Sequence, residues 1–240
     1  MTRQGGFSKG PFQSLNVSLS VGDHEPHVRE NWAKMSANFA LNPGSFITVR
    51  QVHQDRIRVI EEGGETAVSS VQDDSGYDAL VTNQSGLAIS IKTADCVPVL
   101  LFDPVRRVIG AVHAGWRGTA LGVAAKTVET FQRRFGSNPG DLIALLGPAI
   151  GPCCYQVDRT VFDAFARDGR NRVFFQSSGE AGKWQLDLAL LNAAQLESAG
   201  LARARIHSSG ICTACHGELF FSHRASEGNC GRQLSFIMMR

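Results

Sequence analysis

The chain has no unbroken apolar run of the roughly 18 residues that a membrane-spanning helix needs. Its opening, MTRQGGFSKGPFQSL, carries no apolar stretch of signal-peptide length, so the expected address is cytoplasmic. Net charge is only +2, which gives no reason to expect a nucleic-acid or membrane partner. Neither G-x-x-x-x-G-K-[ST] nor a strand-linked G-x-G-x-x-G is present, which argues against a phosphate-binding P-loop and a dinucleotide fold. The H-x-E with P-C-x-x-C pattern of nucleobase deaminases is also missing. Seven histidines include no His-x-His pair, the repeated ligand pattern of multicopper clusters. No repeat, low-complexity run or linker divides the chain, so residues 1–240 are expected to form a single domain.

What is present is the composition of a globular protein, 43% hydrophobic and 19% charged over 240 residues, enough for a core without staples. Six cysteines without an export signal are expected as reduced thiols, which serve as core residues, metal ligands or nucleophiles.

Apolar periodicity predicts a helix over Val28–Leu41, closed by Asn42, Pro43 and Gly44. Alternation predicts a strand over Phe46–Val52, with Ile57–Ile60 as its partner. Further strands are expected at Asp78–Thr82, Leu87–Ile91, Val97–Phe102, Val108–Val112 and Leu142–Leu146. The clearest helix spans Ala120–Phe135 and stops at Gly136, and two more follow Asp158 and Asp187, each an N-cap aspartate. From Ile206 to Met239 strands and loops are expected. Strands arriving in runs before each helix favour an α+β fold, mixed sheets flanked by helices, over a doubly wound one.

The segments KTADCVPVLLFDP and VIGAVHAGWRGTA carry the chemistry. A hairpin turning at Asp103-Pro104 brings Cys96, at the start of one strand, beside His113, at the end of the next. Gly115 and Gly118 leave little bulk there, as expected where a ligand or another backbone approaches. Arg117 offers planar donors suited to phosphate or carboxylate, or is a solvated arginine at a helix start. His53 sits at another strand end, and with Cys96 and His113 it makes two imidazoles and one thiolate, a zinc set with the fourth position open. Zinc lowers the pKa of bound water from ~15.7 to about 7, whereas copper accepts the same ligands. The structural alternative makes Cys96 a core thiol and His113 an ordinary strand residue.

The adjacent Cys153 and Cys154 are expected to point apart in extended chain, and Cys230 to be structural. Cys212 and Cys215 have C-x-x-C spacing, redox or metal-binding in type, with no second C-x-x-C to complete a structural zinc site.

SKGPFQSLNVSLSVGD, RQVHQ, YDALVT, KTADCVPVLLFDP, AVHAGWRGT, LGPAIGPCCYQV, WQLDLALLNAAQL, GICTAC and FFSHR follow one another along most of the chain. In them the sequence resembles the multicopper polyphenol oxidase (laccase-domain) family, re-described as zinc-containing purine nucleoside phosphorylases with adenosine deaminase activity. The resemblance implies packed mixed sheets flanked by helices and a functional His, Cys, His set at His53, Cys96 and His113. It implies phosphorolysis of adenosine, inosine and guanosine, cleavage of methylthioadenosine, and hydrolytic deamination of adenosine. Arg117, Lys92 and Arg224 are then the expected phosphate-binding residues. Two departures, His223 in FFSHR where the family commonly has an aromatic residue and the DDSG stretch before Tyr77, leave the three residues untouched. The rival readings are a copper-dependent polyphenol oxidase and a metal-free Cys96–His113 hydrolase acting on cell-wall precursors, as has been suggested for this family.

Overall fold

A computed structural model describes residues 1–61, 76–166 and 169–240. The Asp73-Asp74-Ser75 part of the DDSG stretch lies outside the described residues. Among the described residues twelve strands, numbered along the chain, form three sheets. The largest holds β2 (Ile57–Ile60), β3 (Ala79–Thr82), β5 (Val97–Asp103), β6 (Val108–Ala114), β7 (Ile143–Leu146) and β11 (Ile206–Ser208), in the order β11-β7-β5-β6-β3-β2. Its outer pairs are parallel and its inner pairs antiparallel. The second joins β1 (Phe46–Ile47), β4 (Ala88–Thr93) and β12 (Gln233–Met238), and the small third joins β8 (Gln156–Val157), β9 (Phe175–Ser177) and β10 (Trp184–Leu186).

The α-helices of the described residues are α1 (Glu25–Asn38), α2 (Trp116–Ala120), α3 (Val123–Phe135), α4 (Arg159–Ala166) and α5 (Leu188–Ser198). The central strands are buried on both faces, and alternation sorts their side chains into two layers. Val108, Val112 and Ala114 of β6 meet Val128 and Phe131 of α3 and Leu191 and Leu196 of α5. Ile109 and Ala111 face the other way, toward Ile89 and Ile91 of β4. The expected α+β arrangement of mixed sheets flanked by helices is therefore the one observed. No helix among the described residues is long and apolar enough to cross a membrane.

Several boundaries differ from the expectations for local reasons. Helix α1 starts at Glu25 because Pro26 fits a first turn, where its missing N–H costs nothing. The predicted Ala120–Phe135 helix begins at Val123, because Gly122 at φ +77° separates it from α2, which ends at Ala120. The predicted Phe46–Val52 strand ends at Ile47. Beyond it a side chain replaces the backbone: Gln51 Nε2 donates to the Lys92 carbonyl at 2.7 Å and the Lys92 N–H donates to Gln51 Oε1 at 2.8 Å. Ile57–Ile60 pairs in parallel with β3 and not with residues 46–52. Asp187 caps α5 by accepting the Leu190 N–H at 2.8 Å, and Asp158 likewise accepts the N–H groups of Thr160 and Val161.

Candidate functional site

The hairpin of β5 and β6 closes at Asp103–Val108, and its far end pairs Val97 with Ala114 and Pro98 with His113. That register sets Cys96, one residue before β5, beside His113. The third member arrives on the irregular segment after β1. The ligand atoms of His53, Cys96 and His113 all lie within 4.8 Å of one another, and the two imidazoles meet edge to face at 4.7 Å between centroids. His113 is buried, Cys96 half-buried and His53 exposed, so the group opens to solvent on the His53 side.

A residue that motif reasoning overlooked organises the group. Asp78, fully buried just before β3, accepts a hydrogen bond at Oδ1 from the His53 N–H at 2.9 Å. Oδ2 accepts from Val52 N–H at 3.2 Å and Gln54 N–H at 2.7 Å. Three successive N–H groups can converge on one carboxylate because His53 takes a left-handed conformation, φ +59°, which turns this segment into an anion-binding nest. Asp78 Oδ1 also lies 2.7 Å from His113 Nδ1. Its pKa is lowered: burial pushes it up, but the His113 and backbone hydrogen bonds outweigh that. An ionised carboxylate only accepts, so the Nδ1 proton belongs to His113, and Nε2 is the nitrogen whose lone pair is free when the ring is neutral. The aspartate thus sets both the loop of one imidazole and the tautomer of the other. Its sequence signal is slight, one acidic residue at the entrance of an apolar strand.

Glycines make room where the sequence implied a close approach. A Cβ on Gly115 would stand 3.0 Å from Cys96 Sγ and 3.2 Å from His53 Cδ2, and one on Gly118 would meet the Gln54 carbonyl oxygen at 2.9 Å.

Cys96 and His113 tune each other. Burial raises the thiol's pKa, but the charge of His113 and hydrogen bonds with both histidines bring it down to about 6. Burial lowers that of His113, but the Cys96 charge and the Asp78 hydrogen bond lift it to about 9. Between those values the metal-free pair is thiolate and imidazolium. Below pH 6 Cys96 is a thiol, so its alkylation by iodoacetamide in chelator-treated protein is expected to rise with pH through about 6. An unperturbed thiol rises through about 8.5 instead. Peptide mass mapping of Cys96 across pH 5 to 10 reads this directly, and an inflection near the ordinary value would contradict the pairing.

The three basic residues expected to bind phosphate are placed unequally. Arg117, in α2, is exposed, its guanidinium 4.3 Å from the Trp116 ring centroid. Arg224 donates its backbone N–H to Asp95 Oδ2 at 2.7 Å and a guanidinium N–H to the Gln156 carbonyl at 2.8 Å, and lies over the Tyr155 ring. Tyr155, missed in the sequence, sits within electrostatic range of Cys96, Arg224, Asp95 and Arg117, with its pKa raised chiefly by burial. Lys92 lies on β4, its backbone held by the Gln51 side chain two residues before His53, its pKa lowered by burial and by the charge of Arg232.

The expectation for the adjacent cysteines is corrected. The backbone turns at Gly151, whose carbonyl accepts from the N–H groups of Cys154 and Tyr155, both at 3.0 Å. Cys153 Sγ and Cys154 Sγ consequently both reach Cys215 Sγ, at 3.6 and 3.4 Å. With Cys212 they form a four-sulfur group, so the partner for the C-x-x-C is a vicinal pair and not a second C-x-x-C. Cys230 is buried in a small cluster with Ala94 and Phe221.

Comparison with known proteins gives a consistent picture. A family model described as multi-copper polyphenol oxidoreductase laccase matches residues 1–240. Purine nucleoside phosphorylase YlmD of Geobacillus stearothermophilus is 37% identical, over 100% of this chain and 88% of its own length. Purine nucleoside phosphorylase YfiH of Escherichia coli is 35% identical, over 99% of this chain and 91% of its own. The crystal structure of a Bacillus licheniformis hypothetical protein, YfiH, superposes with a TM-score of 0.94 at 40% identity, covering 100% of this chain and 91% of that one. The chain therefore belongs to the laccase-domain family of multi-copper polyphenol oxidoreductases, within which curated relatives bear the name purine nucleoside phosphorylase.

Proposed function

We propose that this chain is a purine nucleoside phosphorylase, one domain over residues 1–240, working at His53, Cys96 and His113. Its substrates are adenosine, inosine, guanosine and methylthioadenosine with phosphate, and hydrolytic deamination of adenosine is a second activity. The reading rests on two imidazoles and a low-pKa thiol meeting within 4.8 Å in front of Asp78, in a chain whose relatives carry that enzyme name.

The donor set suits zinc, since one thiolate and two neutral imidazoles leave a fourth position open. Zinc bound there supplies Lewis acidity and an activated water, the chemistry deamination needs. The chain's own residues do the rest. Asp78 holds the His113 Nδ1 proton and so directs the other ring nitrogen to the ion. Arg117 offers planar donors to phosphate, Arg224 a second guanidinium on the Asp95 side, and Lys92 an ammonium on β4.

The test is release of hypoxanthine from inosine. Release that requires phosphate, yields ribose 1-phosphate and stops on chelation supports the proposal. No release, or release independent of phosphate, sinks it. Arg117→Met is expected to raise the KM for phosphate about tenfold or more while changing the KM for inosine less than about threefold. Equal changes in both would remove Arg117 from phosphate binding.

One observation favours a second reading. Thiol, imidazole and carboxylate stand in the order Cys96, His113, Asp78, an activated-nucleophile arrangement with the thiol at about pKa 6. A metal-free hydrolase predicts activity on an amide substrate that survives exhaustive chelation. Copper also accepts these donors. Among the described residues, however, the other metal-competent group is four cysteines and holds no histidine.

A further inference from the structure

We propose that Cys153, Cys154, Cys212 and Cys215 form a second metal site, a closed zinc tetrathiolate that ties the 151–154 turn to the 211–215 turn. All four sulfurs lie within 4.8 Å of one another, with Cys215 Sγ 3.6 Å from Cys153 Sγ and 3.4 Å from Cys154 Sγ. Zinc–sulfur bonds of about 2.3 Å in a tetrahedron place sulfurs about 3.8 Å apart, so one ion fits with small adjustments. Packing does not account for the group, because Cys153 and Cys215 are exposed. All four are free thiols here, so cross-linking does not account for it either.

The backbone is built around the sulfurs. A parallel bridge joins Ala149 to Cys212, with Thr213 N–H donating to the Ala149 carbonyl at 3.0 Å and Ala149 N–H to the Ile211 carbonyl at 3.2 Å. The Gly151 N–H donates to Cys212 Sγ at 3.2 Å, the kind of contact that favours a thiolate. A Cβ on Gly151 would stand 3.2 Å from Cys212 Cβ and 3.4 Å from Cys153 Sγ, so the glycine keeps room for this packing. Burial raises the pKa of Cys212, but the backbone N–H groups of Gly151 and Cys215 bring it down to about 7. The pKa of Cys154 is raised, first by burial and then by its neighbouring thiols. One thiolate is thus supported without a cation. A divalent ion held by the four sulfurs displaces their remaining protons.

Four sulfur ligands leave no open position, so the site is structural in type. Its second effect reaches the His53, Cys96 and His113 group. Thr213, within the C-x-x-C, donates its hydroxyl to Asp95 Oδ1 at 2.6 Å, and the Asp95 carbonyl accepts the Ile150 N–H at 2.9 Å. Asp95, at φ +88°, immediately precedes Cys96. The second ion therefore braces the entry of β5, where Cys96 is held.

Zinc content and zinc X-ray absorption on full-length Cys96→Ala protein test the proposal. About one zinc per chain, with a sulfur-only shell near 2.3 Å, is expected there, against about two per chain and a mixed nitrogen–sulfur shell in the parent. Zinc-free Cys96→Ala protein, a nitrogen-containing shell in it, or an intact mass showing disulfides among these cysteines overturns the proposal. Should Cys96→Ala fail to fold, Cys215→Ser serves: loss of one zinc with retention of the nitrogen-containing shell supports the site, and unchanged zinc content refutes it.

Discussion

Replacing Cys96 by alanine is expected to lower kcat/KM for inosine phosphorolysis on the order of a thousandfold or more while leaving the fold intact. That loss exceeds the 10–100-fold typical of removing a residue behind a metal ligand, because the residue removed is itself a proposed ligand. Folding should survive because Cys96 is only half-buried and His113 keeps its partner Asp78. The proper control is chelated parent protein. A bound ion stabilises the native state by mass action, so any ligand deletion also removes that contribution. The melting temperature of Cys96→Ala should match that of the chelated parent within a few degrees. Full activity in the variant would remove the thiol from the chemistry, and collapse of the fold would make it a core residue.

Asp78→Asn should be nearly as damaging for a different reason. Each carboxylate oxygen accepts two hydrogen bonds, Oδ1 from the His53 N–H and His113 Nδ1 and Oδ2 from the Val52 and Gln54 N–H groups. An amide has one oxygen, so in either orientation its NH2 faces two former donors. If the NH2 points at Val52 and Gln54, the nest opens and the His53 loop loses its anchor. If it points at His113, the imidazole must move its proton to Nε2 and surrender the lone pair that would face a metal. With hydrogen bonds to a charged group worth about 1.5–3 kcal/mol each, two lost bonds cost about 3–6 kcal/mol. Metal affinity should fall about 10–100-fold as well. Chemical denaturation with zinc titration of the same variant measures both, and a variant within about 1 kcal/mol of the parent and equal in zinc affinity would contradict the role given to Asp78.

Much of this arrangement is legible in the amino-acid sequence. The β5–β6 hairpin follows from Asp103-Pro104 between two apolar runs, and with it the meeting of Cys96 and His113. Gly115 and Gly118 announce close approaches, and their neighbours prove to be Cys96 Sγ and the Gln54 carbonyl. Asp78 is hidden because its partners come from residues 52–54 and 113, and no local pattern encodes a carboxylate that accepts from a distant nest. The early end of β1 is hidden for the same reason, since Gln51 meets Lys92 across 41 residues.

The two cysteine groups show where the division falls. Sequence by itself determined the donor types and, through hydrophobic periodicity and turn chemistry, the β5–β6 hairpin that sets Cys96 beside His113, because period and turn chemistry are local properties of the chain. It also determined the C-x-x-C spacing of Cys212 and Cys215. Only tertiary structure decided that Cys153 and Cys154 fold back to face them, that Ile57–Ile60 pairs with β3, and that the backbone N–H of Arg224 reaches Asp95 across 129 residues. Those outcomes depend on which surfaces bury one another across long separations, and burial is a property of the whole packed chain.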